Sequence, residues 1–264
     1  SKEKEQINAR KKNMRIYSVH RMLTFDLLFY YAIKFLFLTQ VKGFTASDIV
    51  VVSAFLGLFK VLFQIPITVV IDKIGNRRSL IIADLFQATS VTVIMLSNSL
   101  PVLIIGNLFG AIAVAMKDVA EPGLLNSSIP DVKEKSQIYS KIDGKSVGNF
   151  YYISAFSAIV SGFLFDINGY IPMTICVIIL LISALLATGF TELIPVHKQE
   201  DIKKYYKTYW LLININIGLF NLIPIPGLDG FSLLRDLRPN TFYKYEEKFY
   251  QYQMIIMLAF IFIG

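Results

Sequence analysis

The feature that most constrains this chain is a series of long apolar runs separated by short polar segments. The runs cover residues 22–41, 49–71, 79–97, 101–120, 144–165 and 170–189. Each holds roughly 18 to 25 residues, the length that crosses about 30 Å of hydrocarbon, and none shows the alternation expected of membrane β-strands. Because backbone groups inside a bilayer must satisfy one another, the runs predict an all-α integral membrane protein.

The distribution of charge predicts how these helices are oriented. The chain carries a net charge of +7, but only 17% of its residues are charged, and the basic ones flank the apolar runs on alternate sides. One set of loops holds nearly all of the Lys and Arg residues, whereas the other holds only Lys42. The positive-inside rule then makes residues 1–21 a basic cytoplasmic tail of a multi-pass protein in the plasma membrane. We therefore expect the lipid bilayer as a partner and no nucleic acid.

A short charged turn joins the second and third runs. It contains Asp72, Lys73, Gly75, Arg77 and Arg78, and its length forces the two helices into an antiparallel hairpin. The turn resembles the signature loop between the second and third helices of the major facilitator superfamily of transporters. The resemblance covers about residues 15–200, which implies a six-helix transporter half over 22–190 and a basic linker over 191–207.

The resemblance implies a function and a partner. The expected function is transport of a small-molecule solute by alternating access, with no cofactor, and the charged turn would form an inner gate. Asp118 and Glu121, at the end of the fourth run, are the expected gate partners, with Lys117 beside them and Asp84 near enough to join. The alternative for these charges is a static cap on a helix end. Because the solute site of such transporters lies between two halves, a homodimer or a second half is expected to complete the site.

Three polar side chains within the first two runs are candidates for a substrate cavity. Lys34 and Lys60 lie too deep in their runs to reach an interface easily, and Gln64 also lies within a run. Ionisable groups at such depth usually face a cavity or a partner. Either they line a positive cavity suited to an anionic or polar solute, or the lysines pair with acidic groups and fix the packing of helices.

Small residues at helical spacing in the fifth run predict a close helix contact. Ser154, Ala158 and Gly162 recur every four residues, and such a stripe lets a neighbouring backbone approach closely. A role in lining a solute path is the alternative.

The last quarter of the chain carries a different motif. The run Asn221-Leu-Ile-Pro224-Ile-Pro226-Gly-Leu-Asp229-Gly resembles the intramembrane zinc motif of site-2 protease-like metallopeptidases. The resemblance covers about residues 208–264 and implies about two further transmembrane helices, with Asp229 as a zinc ligand.

The chemistry of that protease family cannot be completed from this sequence. Its zinc site needs a His-Glu-x-x-His helix, but the chain has two histidines, His20 and His197, and neither has a partner at helical spacing. We therefore expect no enzyme activity, and Asp229 as an orphan ligand without zinc. The sequence is interpreted as a chimera, with two alternatives: a protease relic that needs a second chain, or a fragment without function.

Overall fold

The computed structural model describes residues 2–193 together with 235–237, 239–240, 242–244 and 248. The chain divides into two compact units, Ser1–Lys198 and Gln199–Gly264. The helices described below belong to the first unit, and Asp229 lies outside the described residues. The prediction of an all-α membrane protein is confirmed. In chain order the elements are α1 (Lys2–Thr24), α2 (Lys34–Leu36), a π-helix (Phe37–Val41), α3 (Ala46–Ile74), α4 (Asn76–Leu96), α5 (Leu100–Ser128), α6 (Lys135–Ile167) and α7 (Tyr170–Thr188).

Five of these helices are long and apolar enough to cross a membrane: α3 through its first 19 residues, and α4, α5, α6 and α7 over their whole length. They coincide with the second to sixth apolar runs. Helix α5 continues well past its run and ends at Ser128, because Ile129 precedes Pro130 and takes an extended conformation (ψ 133°). The extension carries the polar end of α5 into the bundle.

The first apolar run does not form the continuous helix expected over 22–41. Helix α1 ends at Thr24, where side chains compete for the backbone: the Thr24 hydroxyl donates to the His20 carbonyl (2.8 Å), and the Leu27 amide donates to Asp26 (2.9 Å). Phe29 then takes a left-handed conformation (φ 62°), which a helix cannot contain. The segment expected to be a basic tail forms most of α1, which packs against α5, α6 and α7.

Apolar side chains gather in two clusters, one toward each end of the bundle. The end that carries the α3–α4 turn is called the Gly75 end, and the end that carries the α4–α5 turn is called the Ser97 end. The Gly75 end is built around Tyr17, Ile71, Leu80, Ala83, Ala120, Leu124 and Phe190. The Ser97 end is built around Ile33, Phe37, Val91, Ile94, Leu103, Met173 and Cys176.

Helices α4 and α5 cross at close range. A Cβ atom on Gly106 would stand 2.8 Å from Ile94 Cγ1, and one on Gly110 would stand 2.9 Å from Ser90 Oγ. By contrast, nothing lies within 4 Å of a Cβ on Gly162 in the part of the chain that the structure describes. The predicted stripe on α6 therefore makes no close contact in this bundle, and Gly106 and Gly110 make one instead.

Candidate functional site

Two charged residues on one face of α5 reach two other helices. Lys117 and Glu121 are four residues apart, so their side chains lie on the same side of the helix. Lys117 Nζ lies 2.8 Å from Asp84 Oδ1 on α4, and Glu121 forms an ion pair with Arg21 on α1. Lys117, Asp84 and Glu121 are all buried. The end of α5 thus ties α4 and α1 together through charges taken out of solvent.

His20 on α1 lies at the centre of these pairs. Its Nε2 is 2.7 Å from Asp84 Oδ2, while its Nδ1 is 3.3 Å from the Thr24 hydroxyl and 3.8 Å from Glu121 Oε1. The edge-on ring of Phe190, with its centroid 5.8 Å away, closes another side. His20 is fully buried, so each polar atom around it bears directly on the charge state of the ring.

A third carboxylate joins the group from α6. The Tyr17 hydroxyl donates to Asp143 Oδ1 at 2.6 Å, and Arg21 Nε donates to the same oxygen at 3.2 Å. Burial and this hydrogen bond raise the pKa of Tyr17, so its phenol remains a donor. The charge cluster is defined as Tyr17, His20, Arg21, Asp84, Lys117, Glu121 and Asp143.

Sequence reasoning missed the contribution of α1. Its buried polar side chains recur at helical spacing on one face, which a solvated tail would not require. The amide of Asn13 extends this face toward the end of α7: its Nδ2 donates to the Thr191 carbonyl at 2.8 Å. The polar stripe was the available signal, and its members are Asn13, Tyr17, His20, Arg21 and Thr24.

The predicted gate turn forms hydrogen bonds with the end of α7 and with the residues that follow it. Gly75 has φ 85°, a conformation that favours glycine. The Arg77 backbone amide donates to Glu192 Oε2 at 2.8 Å, and its guanidinium donates to the Thr188 carbonyl at 2.7 Å. A Cβ on Gly75 would stand 2.7 Å from that same Glu192 oxygen. Three other members of the turn are exposed: Asp72, Lys73 and Arg78.

The expected gate partners make their ion pairs elsewhere. Asp118 pairs with Lys60 on α3 (2.8 Å), and both side chains are nearly half exposed. Glu121 pairs with Arg21 on α1. Among the described residues, no ion pair joins the gate turn to either carboxylate, so in this state the turn and the end of α5 belong to separate networks.

The structure places the three predicted cavity residues, Lys34, Lys60 and Gln64, in different surroundings. Lys34 lines a cleft of about 30 Å³ with Gln87 and Asn107, which is room for about two waters. Its Nζ lies 5.6 Å from the centroid of the Tyr30 ring. Lys60 is paired with Asp118, as given above, and Gln64 is exposed on α3. Within residues 2–193, Lys34 forms no ion pair, which distinguishes it from Lys60.

The zinc ligand predicted at Asp229 has no described structure around it. Among the residues that the structure does describe, no group of three or more His, Cys, Asp or Glu side chains could hold a metal ion. The prediction at Asp229 therefore stays a prediction.

Comparison with known proteins bears on the whole chain. A search among curated proteins finds no significant match. At the level of families, residues 22–264 match the Major Facilitator Superfamily. The match includes residues 208–264, for which the sequence alone suggested a second family. Because it covers most of the chain and agrees with the helical membrane fold, the chain belongs to the major facilitator superfamily of membrane transporters.

Proposed function

We propose that this protein moves a small solute across a membrane by alternating access, and that the Gly75 end of the bundle is its inner gate. The observation that carries the proposal is the charge cluster, which ties α1, α4, α5 and α6 together. Alternating access needs two arrangements of comparable energy. Buried charges favour the arrangement that pairs them, because a lone buried charge is costly. Such a cluster can hold one state firmly and release it when a partner changes.

The gate turn supplies a second contact at the same end. Within it, the Arg77 amide is bound by Glu192 as described above. Asp72, Lys73 and Arg78 are exposed and remain accessible to a second bundle. We expect these exposed charges to form ion pairs between the two halves in the state that closes the Gly75 end. In that state Asp118 and Glu121 would hold α5 in place through their own ion pairs. The N-terminus is then cytoplasmic, and the protein lies in the plasma membrane.

The proposed solute is a small anion. Lys34 supplies a positive charge, and Gln87 and Asn107 supply amide donors in the same cleft. Carboxylates and phosphates accept several hydrogen bonds from such a set. In the described state the cleft has room for about two waters, so a solute enters only after the helices move apart. That requirement agrees with a transporter that has an occluded state.

Uptake into proteoliposomes tests both the function and the solute class. We would reconstitute the full chain and measure uptake of radiolabelled acetate, lactate and phosphate, with glucose and alanine as neutral and zwitterionic comparisons. We expect one of the three anions to enter faster than into empty liposomes, and Lys34→Met to abolish that uptake. Lys145→Met, at an exposed position on α6, is the matched control and should retain it. Uptake of glucose or alanine alone contradicts the anionic class, and no uptake of any of the five contradicts the function.

Completion of the solute site by a second half is a separate proposal. A second copy of the chain would supply another bundle and another gate turn. Native mass spectrometry of the protein in nanodiscs distinguishes the arrangements: we expect a species of twice the chain mass in the active preparation. Active preparations that contain only single chains contradict the homodimer.

The protease-like motif in residues 208–264 supports a second proposal, in which this segment is the remnant of a metallopeptidase without its histidines. Under this proposal the chain is a chimera, and Asp229 binds no zinc alone. Elemental analysis of the purified protein tests it: we expect less than stoichiometric zinc, and one bound zinc that is lost in Asp229→Ala contradicts the orphaned ligand.

A further inference from the structure

Both nitrogens of the His20 ring face oxygen atoms that can accept a hydrogen bond. Nε2 faces the Asp84 carboxylate at 2.7 Å. Nδ1 faces Thr24 Oγ1 at 3.3 Å. The Thr24 hydroxyl already donates its hydrogen to the His20 carbonyl oxygen, so Oγ1 is left as an acceptor toward Nδ1. A neutral imidazole has one donor and one acceptor nitrogen, whereas imidazolium has two donors. The surroundings of His20 therefore match the protonated ring.

A buried oxygen near the same ring supports this match. Glu121 Oε1 is buried and accepts no hydrogen bond from any described residue, while its sister oxygen pairs with Arg21. His20 Nδ1 lies 3.8 Å from this oxygen. A positive ring offsets the cost of leaving this carboxylate oxygen buried without a partner.

With all three carboxylates ionised, the charges of the cluster balance when His20 is positive. Three carboxylates belong to it: Asp84, Glu121 and Asp143. Two basic side chains, Arg21 and Lys117, face them. With a neutral ring one negative charge remains in a mostly buried space, and with imidazolium the cluster is neutral. Buried charge without compensation is strongly unfavourable, so the proton on His20 stabilises the assembled cluster.

We infer that His20 is a proton-binding site that couples protonation to the docking of α1 on the bundle. The inference rests on the proposed function, since it assigns the proton as the ion that controls the Gly75 gate. The proton holds α1 in place while His20 is charged. Its loss leaves Asp84 and Glu121 in excess, and α1 then separates from α4 and α5.

The groups around His20 set the sign of this response. From α4 the ring meets Asp84, and from α5 it meets Glu121, with Lys117 on the far side of Asp84. From the residues just after α7 it meets the ring of Phe190. Asp143 on α6 acts through Arg21. Both carboxylates in direct reach favour the charged ring, so docking is strongest at low pH and weakens as pH rises.

The chain around α1 is suited to such a movement. Helix α1 ends at Thr24, and the left-handed residue Phe29 separates it from the π-helix. No regular helix is assigned over residues 25–33, so α1 can change its angle without unwinding the next helix. Its buried face is largely polar, and electrostatic balance therefore contributes more to its docking than it does for the apolar helices.

The two histidines of the chain allow a direct test of protonation. We would label the protein with ¹⁵N-histidine in nanodiscs and use His197→Gln as background, so that His20 alone is observed by NMR. In spectra recorded from low to high pH, we expect two protonated ring nitrogens at the low end and loss of one proton as pH rises. Asp84→Asn should make the charged ring less favourable. A neutral ring throughout this pH range overturns the inference, whether or not transport is found.

Distance measurements test the coupling to α1. Spin labels at Lys12→Cys on α1 and Asn126→Cys on α5, both exposed positions, would be introduced in Cys176→Ser. We expect a single short distance at low pH and a longer, broader distribution at high pH.

Two variants separate charge from packing in the same measurement. His20→Gln should give the broad distribution at every pH, whereas His20→Gln combined with Glu121→Gln should restore the short distance at every pH. A pH response that persists in His20→Gln, or a short distance in that variant, overturns the coupling. Failure of the uptake experiment alone contradicts the proposed function and leaves these two readouts unaffected.

Discussion

The two ends of the bundle bury their interiors in different ways. At the Ser97 end the helices meet through aliphatic and aromatic side chains, and the polar contact between Lys42 and Asn98 (3.3 Å) lies at the exposed surface. At the Gly75 end an apolar cluster surrounds a set of buried charges. Apolar contacts are non-directional and tolerate small shifts, whereas buried charges allow few arrangements. The difference indicates that the Ser97 end maintains packing and the Gly75 end distinguishes between states.

The largest effect is expected when the charge cluster is broken at its centre. Asp84→Ala leaves both His20 and Lys117 buried without their carboxylate. Removing one partner of a buried pair costs about 3–5 kcal/mol. We expect that loss in the free energy of unfolding, measured by denaturant titration in mixed micelles.

Asp131→Ala is the matched control, because the Asp131 side chain is fully exposed. It should leave the free energy of unfolding unchanged within error. If Asp84→Ala and the control behave alike, the cluster contributes nothing to holding the Gly75 end together.

At the Ser97 end the sensitive feature is close packing. Gly106→Ala places a methyl group 2.8 Å from Ile94 Cγ1 and 3.2 Å from the Ile94 backbone nitrogen. The backbone cannot move aside as a flexible side chain can, so we expect a loss of about 1–3 kcal/mol in the free energy of unfolding. Gly162→Ala, which meets open space, should be neutral or slightly stabilising, because alanine favours the helix. Equal effects at the two glycines would contradict the α4–α5 crossing.

The sequence predicts the apolar parts of this bundle better than the polar ones. Hydrophobic length located five helices and the turn at Gly75, because crossing a bilayer requires such lengths. It placed the first helix wrongly, since backbone competition by Thr24 and Asp26 outweighs the apolar character of the segment. The sequence predicts that Asp84 could join the network of Lys117 and Glu121, but charge alone does not specify a partner.

The residues that complete the site were missed for a physical reason. His20 and Arg21 lie in a basic segment whose composition favours a solvated tail, and the polar stripe of α1 becomes informative only once α5 and α6 are known to carry buried carboxylates. Lys34 and Lys60 look equivalent by depth in the sequence. The structure separates them because Asp118 forms an ion pair with Lys60.

Two glycines with positive φ, one near each end of the bundle, allow the Gly75 end and the Ser97 end to be compared by the same substitution. Gly75 (φ 85°) and Gly43 (φ 72°) both have a positive φ, which costs a side-chain residue about 1–3 kcal/mol. A methyl group on Gly75 also displaces the Glu192 carboxylate that holds the gate turn, whereas one on Gly43 meets nothing within 4 Å. We expect the melting temperature to fall for both Ala variants and to fall further for Gly75→Ala. Equal falls would show that Glu192 does not restrain the turn.

The smallest change in the free energy of unfolding is expected at the ion pair between Lys60 and Asp118. The size of the coupling energy between these residues shows whether water or lipid surrounds them. Both side chains are nearly half exposed. If they face water in a cavity, the coupling energy from Lys60→Met, Asp118→Asn and the double variant should be about 0–1 kcal/mol, as for other exposed ion pairs.

Exposure to hydrocarbon gives a different result. A single variant would then leave one charge facing lipid, at a cost of about 2.5–3.5 kcal/mol, and the double variant would recover most of that loss. We expect the smaller value, since the proposed solute path lies beside α3 and admits water. A large coupling would assign Lys60 to helix packing against lipid and would remove it from the candidates for the cavity, which leaves Lys34 as the cavity lysine.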